Sequence, residues 1–94
     1  MSTDFSSIHN HYEQPVFEAV LRTHAHYPQI AAPLLPDVAC VALNRLPVRY
    51  IRHDVDLAFY LSERERAQQA QAIDEAVRFA FEFVQARTVL GART

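Results

Sequence analysis

Apolar side chains recur along this chain with distinct spacings, and each spacing predicts an element. Ile8, Tyr12, Val16 and Val20 return every fourth residue, with Phe17 and Leu21 beside them. Such a stripe belongs to an amphipathic helix that buries one face and wets the other. Pro15 falls inside the stripe. Having no amide to donate, and clashing with the preceding turn, it makes the helix either begin near it or kink there. Tyr27-Pro28 closes the segment, because a residue before proline is pushed out of the α region.

A loop with Pro28, Pro33 and Pro36 follows, and Asp37 then stands where its carboxylate can cap the free amides of a second helix. Val38 to Leu43 is apolar on every face, so this helix is expected to be buried all round, with Cys40 an inert thiol inside it. It must end by Leu46, which precedes Pro47. Val48 to Leu61 mixes β-branched and aromatic residues without a clear period; a loop with a short helical turn is the favoured reading. Ser62-Glu63-Arg64-Glu65 is a capping box that opens a long helix from about Glu63 to Thr88, with Arg87 in its last turn and Gly91 beyond it as a stop.

That helix would be roughly 39 Å long at about 1.5 Å per residue, whereas a sphere holding a chain of this size is only about 32 Å across. It is therefore expected to overhang its own protomer. Its apolar residues fall in two seams: Ala70, Ile73, Val77, Ala80 and Val84 on one, Ala72, Ala76, Phe79 and Phe83 on the other. Two seams suit two packing partners, the protomer's own core and a second copy of the chain, which predicts a homodimer. The competing reading is a monomer whose other helices cover both.

Composition narrows the picture. Ninety-four residues, 50% of them apolar, make one core, so residues 1–94 are expected to form a single domain with 1–7 as a disordered tail. The single glycine, Gly91, leaves none for hairpin turns or a phosphate-cradling loop. The expected fold class is thus all-α: a compact helical domain with a long C-terminal helix. Nine basic against eleven acidic residues give no net field to attract nucleic acid or a membrane surface, so any anion site must be local. Prolines and polar residues break the richest apolar stretch, Ile30 to Leu46, and the first residues lack the apolar core of a secretory signal. With one cysteine and no disulfide, the cytoplasm is the expected location.

Catalytic and metal chemistry find little support. His9 and His11, like His24 and His26, are two residues apart and would point about 200° from each other on a helix, so neither pair clasps one ion. His53 with Asp54 and Asp56 is the one mixed imidazole–carboxylate cluster, a weak candidate for a hard cation or a metal-dependent hydrolase. No serine or cysteine stands in a nucleophile–base–acid pattern, so the chain is read as a non-enzyme.

The corner after the second helix carries more chemistry. Arg45, Arg49 and Arg52 lie within ten residues, a density no other window of that length matches, with Tyr50 among them and Asp54 close behind. Guanidiniums grip phosphate oxygens or the O6/N7 edge of guanine, tyrosine stacks, and a carboxylate accepts from the guanine N1/N2 edge. The competing assignment pairs these arginines with Asp37, Asp54 and Asp56, simply pinning the loop.

The run Asp37-Val-Ala-Cys-Val-Ala-Leu-Asn44-Arg45-Leu46-Pro47-Val-Arg49-Tyr50 resembles the signature of the ComFB family, named for late competence development proteins. Ile8 to Glu13 with Val16 to Val20 is similar to the family's first helix, and Ala76 to Gln85 to its last. The resemblance implies a helical homodimer without enzymatic activity, in a family whose members include receptors for cyclic di-GMP. Receptor-type members share the Asn44, Arg45, Leu46, Pro47 and Tyr50 positions. The family's competence-type members bind zinc through cysteines that Pro28 to Pro36 lacks here, so no metal is expected. The combined expectation is a cyclic di-GMP-binding regulatory homodimer acting on a protein partner, with Asn44, Arg45, Arg49, Tyr50, Arg52 and Asp54 as its site; the alternative is a ligand-free scaffold dimer.

Overall fold

The computed structural model describes residues 3–53, 55 and 61–91. Its first helix, α1, spans Glu13–Thr23. Pro15 occupies the third helical position, where no intrahelical amide is required, so the proline opens the helix and does not kink it. The residues upstream are not helical, contrary to the four-residue spacing that begins at Ile8. His9–Asn10 form a short strand, β1, antiparallel to a second strand, β2, at Tyr50–Ile51, with His9 opposite Ile51 and Asn10 opposite Tyr50. The fold is mostly helical, as expected, with one small two-stranded sheet where the reading after Val48 had only a loop; the helical turn expected before Leu61 falls on residues largely outside those described.

The reason lies in Asn10. Its backbone amide donates to the Glu13 carboxylate at 3.2 Å, and its own Oδ1 accepts from the Tyr12 amide at 3.3 Å. A short polar side chain that bonds its own backbone two residues on competes with helix formation. The helix therefore starts after it.

α1 passes through a 3-10 turn, His24–His26, and a second such turn, Ala32–Leu34, leads directly into α2, Leu35–Asn44. α2 begins two residues earlier than Asp37 because Pro36, in the first turn, has the φ a helix needs and no amide to satisfy. Asp37 is consequently inside the first turn and makes no cap hydrogen bond. Nor is α2 buried all round. Val38, Ala39 and Ala42 enter the core, Val41 and Leu43 are half-buried, and Cys40 is exposed, not sequestered.

The long helix, α3, spans Glu63–Gly91 without a break. Ser62 Oγ accepts from the Glu65 amide at 3.1 Å, the serine half of the capping box. Gly91 is the last helical residue described, so it does not stop the helix ahead of itself. The core-facing stripe is Ile73, Ala76, Val77, Ala80, Phe81 and Val84, a continuous 3.6-residue pattern that draws from both expected seams and adds Phe81, which neither contained. α3 packs most extensively on α2 and then on α1, around Val16, Val20, Ile30, Val38 and Leu46.

Ala70 is exposed although it belongs to the expected inner seam, as are all residues from Ser62 to Gln68: the N-terminal turns of α3 run beyond the core. The molecule measures 51 × 40 × 19 Å with a radius of gyration of 15.6 Å, against about 12 Å for a compact chain of this length. It is a thin slab and not the compact body expected. Among the described residues, no helix is long and apolar enough to cross a membrane.

Candidate functional site

The C-terminal end of α2 and the two-stranded sheet build the corner that carries the three arginines. Asn44 Nδ2 donates to the Cys40 carbonyl at 2.9 Å, one turn back, which turns its Oδ1 into an available acceptor at the helix end. Arg45 follows as the capping residue of α2, its positive charge favourable beside the free carbonyls there. Its guanidinium carbon lies 3.7 Å from the centroid of the Phe79 ring on α3. Phe79 in turn stacks on Phe83, one turn along, at 5.9 Å and 23°. A guanidinium over an aromatic face keeps its N–H edge for a further acceptor.

Arg49, Tyr50 and Arg52 are held by the strand pairing. Asn10 Oδ1 accepts from the Arg49 amide at 3.1 Å, and the Arg49 carbonyl accepts from the His11 amide at 2.6 Å. Arg52 Nε donates to Ser7 Oγ at 3.2 Å, and Tyr50 is 69% exposed. The expected residues thus divide into two groups: Asn44 and Arg45 at the end of α2 against Phe79, and Arg49, Tyr50 and Arg52 on and beside β2. Asp54 lies outside the described residues, as does Asp56.

Of the competing assignment, the pairing with Asp37 is not seen, and the pairings with Asp54 and Asp56 fall outside the described residues. None of the three guanidiniums forms an ion pair with a described carboxylate, whereas Arg22 does so with Asp74. The spacing argument missed Ser7, Asn10 and Phe79. Asn10 and Ser7 are far from the arginines in sequence, and the spacing of Phe79 places it in an apolar seam of the long helix. A polar Asn-x-x-Glu element at Asn10 to Glu13 was the available signal for a chain reversal there.

A second feature adjoins the corner. Phe17, Leu21, Leu35, Ala39 and Leu43 line an apolar groove of about 530 Å³ between α1 and α2, with Cys40 and Asn44 on its lining as well. Phe17 and Leu21, placed beside the helical stripe by the sequence, are 42% and 68% exposed because the core stripe is narrower and takes only Val16, Ala19 and Val20.

Three of the histidines are engaged singly. His11 Nε2 meets Gln69 Oε1 at 3.1 Å, His9 Nδ1 meets the Ser7 carbonyl at 2.9 Å, and His24 Nε2 donates to the Ile30 carbonyl at 2.6 Å. Among the described residues, no three histidine, cysteine or acidic side chains gather as a metal site would require. Asp4, fully exposed, has its carboxyl held below the ordinary value by hydrogen bonds from Ser6, backbone first.

The arginine corner, the Asn10 reversal before α1 and the α2–α3 packing all fall within the stretch that matches a known family. The model of that family, described as late competence development protein ComFB, matches residues 9–88. No curated protein and no solved structure matches the chain. Since the matched stretch covers all but the two ends of the sequence, the chain belongs to the ComFB family.

Proposed function

We propose that this chain is a non-enzymatic regulatory domain that binds cyclic di-GMP at the corner formed by Asn44, Arg45, Arg49, Tyr50, Arg52 and Asp54, and passes the signal to a protein partner in the cytoplasm. One observation carries the reading: the guanidiniums of Arg45 at the end of α2 and of Arg49 and Arg52 on and beside β2 have no described carboxylate to neutralise them. A ligand with two phosphates and two guanines loses hydration when it docks, and charge-assisted hydrogen bonds replace it. The exposed Tyr50 ring and the Arg45–Phe79 stack add flat surfaces to which a guanine can stack.

The proposed assembly is a homodimer through the outer face of α3. Phe79 and Phe83 are 37% and 41% exposed, next to each other on a helix whose other stripe is already in the core. A twofold dimer carries the corner twice, which suits a twofold ligand. Because Arg45 rests on Phe79, the ligand corner and the dimer face share a contact.

Calorimetry with cyclic di-GMP tests the reading. Saturable heat is expected, with Arg45→Ala or Arg49→Ala weakening binding roughly tenfold to hundredfold, the worth of one charge-assisted contact. No heat, or binding indifferent to both substitutions, would leave a ligand-free scaffold dimer as the function. Light scattering on Phe83→Asp is expected to give monomer where the unaltered chain gives dimer.

A further inference from the structure

Two arginines far apart in sequence meet at a second place. Arg22, in the last turn of α1, and Arg78, on α3, line one pocket of about 320 Å³ with Thr23, His26 and Asp74. The packing of α1 on α3 brings them there. Asp74 lies one turn before Arg78 on α3 and meets Arg22 at 4.0 Å, with both side chains more than half exposed. One carboxylate thus faces two guanidiniums, and it leans toward Arg22. Arg78 makes no ion pair or hydrogen bond with a described residue.

From this we infer that the α1–α3 pocket binds a singly charged phosphate group, of the diester kind, between Arg78, Arg22, Thr23 and His26. The charge decides the valence: two guanidiniums less one carboxylate leave a single positive charge to neutralise. Shape decides the group. The donors come from three elements, α1, the 3-10 turn after it and α3, and are of three kinds, guanidinium, hydroxyl and imidazole, which suits the tetrahedrally arranged oxygens of a phosphate. A carboxylate has two oxygens in one plane and is satisfied by one arginine fork, leaving the other donors unused. The volume leaves room for part of the molecule that carries the phosphate. This pocket is independent of the arginine corner, with which it shares no residue.

The test is a titration of the uniformly nitrogen-15-labelled full chain with dimethyl phosphate, followed by NMR, with acetate and sodium chloride at matched ionic strength as the other arms. Saturable shifts are expected for the Arg22 and Arg78 side chains and the Thr23 and His26 amides with dimethyl phosphate, and only weak, linear ones with chloride. Arg78→Gln should weaken the response at least about tenfold, one charge-assisted contact, whereas Arg45→Ala should leave it unchanged. Asp74→Asn should tighten binding, since a competing anion is removed. Equal response to acetate overturns the assignment to phosphate. Linear shifts with dimethyl phosphate, or saturation that survives Arg78→Gln, overturn the site itself.

Discussion

Phe81 and Asn10 each organise a region of this molecule, and they do so by different physics. Phe81 of α3 is fully buried, and its ring stacks on Tyr27 at 4.7 Å and 8° and on His24 at 6.3 Å and 12°, in and just after the 3-10 turn that follows α1. Asn10, half-buried at the sheet, uses a single carbonyl oxygen to accept from both Tyr12 and Arg49. The first region is held by many weak contacts, none of which is indispensable by direction. The second is held by a few directed bonds, two of them to one atom. A core of that kind resists local change and fails as a whole, whereas a corner of this kind can open while the helices stay packed.

The largest effect is expected in the core. Phe81→Ala leaves a cavity that rigid helices cannot close, and should cost about 3 to 5 kcal/mol, read as a lower urea midpoint for the entire chain. Local loosening confined to His24–Tyr27, with an unchanged midpoint, would contradict the contrast. Asn10→Ala is expected to cost less, about 1 to 3 kcal/mol, because it leaves the Arg49 and Tyr12 amides without their acceptor. Its signature is regional: hydrogen exchange at Arg49 and Tyr12 should accelerate while amides at Val77 and Ala80 keep their protection. Exchange rising equally in α3 would show that corner and core are one cooperative unit.

The same contrast explains what could be read from the residues alone. α3 and the body of α1 and α2 were legible because apolar periodicity is a local signal that burial enforces, and Ile73, Val77, Ala80 and Val84 all entered the core as spaced. Phe81 belongs to neither narrow seam because the buried face of α3 is one broad stripe. The corner was legible only as a density of arginines. Its construction depends on Ser7 and Asn10, about 40 residues earlier in the chain, and a pairing over such a distance leaves no period to detect. Cys40 is exposed for a related reason: an all-apolar stretch implies burial on every side only where there is enough protein to surround it, and this slab is only 19 Å thick.

A smaller effect is expected where α3 leaves the core. Ser62 caps its first turn, and Ser62→Ala removes the acceptor for the Glu65 amide. N-cap losses of this sort cost about 1 kcal/mol. Here the first two turns are exposed and their unfolding need not carry the core with it, so the change should appear as lost helicity by circular dichroism with little movement of the urea midpoint. A full shift of the midpoint would mean that the overhang is coupled to the core.

The smallest effect is expected at the Arg22–Asp74 pair. The two groups are 4.0 Å apart and 66% and 60% exposed, which puts them at the outer limit of an ion pair in a medium close to water. There the Coulomb attraction is largely offset by the entropy of holding two mobile side chains, and such pairs contribute about 0 to 1 kcal/mol. Asp74 also stands one turn before Arg78, so it has a second cation to attract if Arg22 is removed. Arg22→Ala should therefore leave the urea midpoint almost unmoved at low salt and wholly so at high salt, where screening removes what attraction remains. Asp74→Ala removes the carboxylate that offsets both guanidiniums, and should destabilise slightly more at low salt. That excess should vanish as salt, or a phosphate group bound in the pocket, takes over the neutralisation. If Asp74→Ala instead costs as much as Asn10→Ala, the pair is a structural clamp between α1 and α3, and the directed bonds that hold the corner would have a counterpart on the helical side.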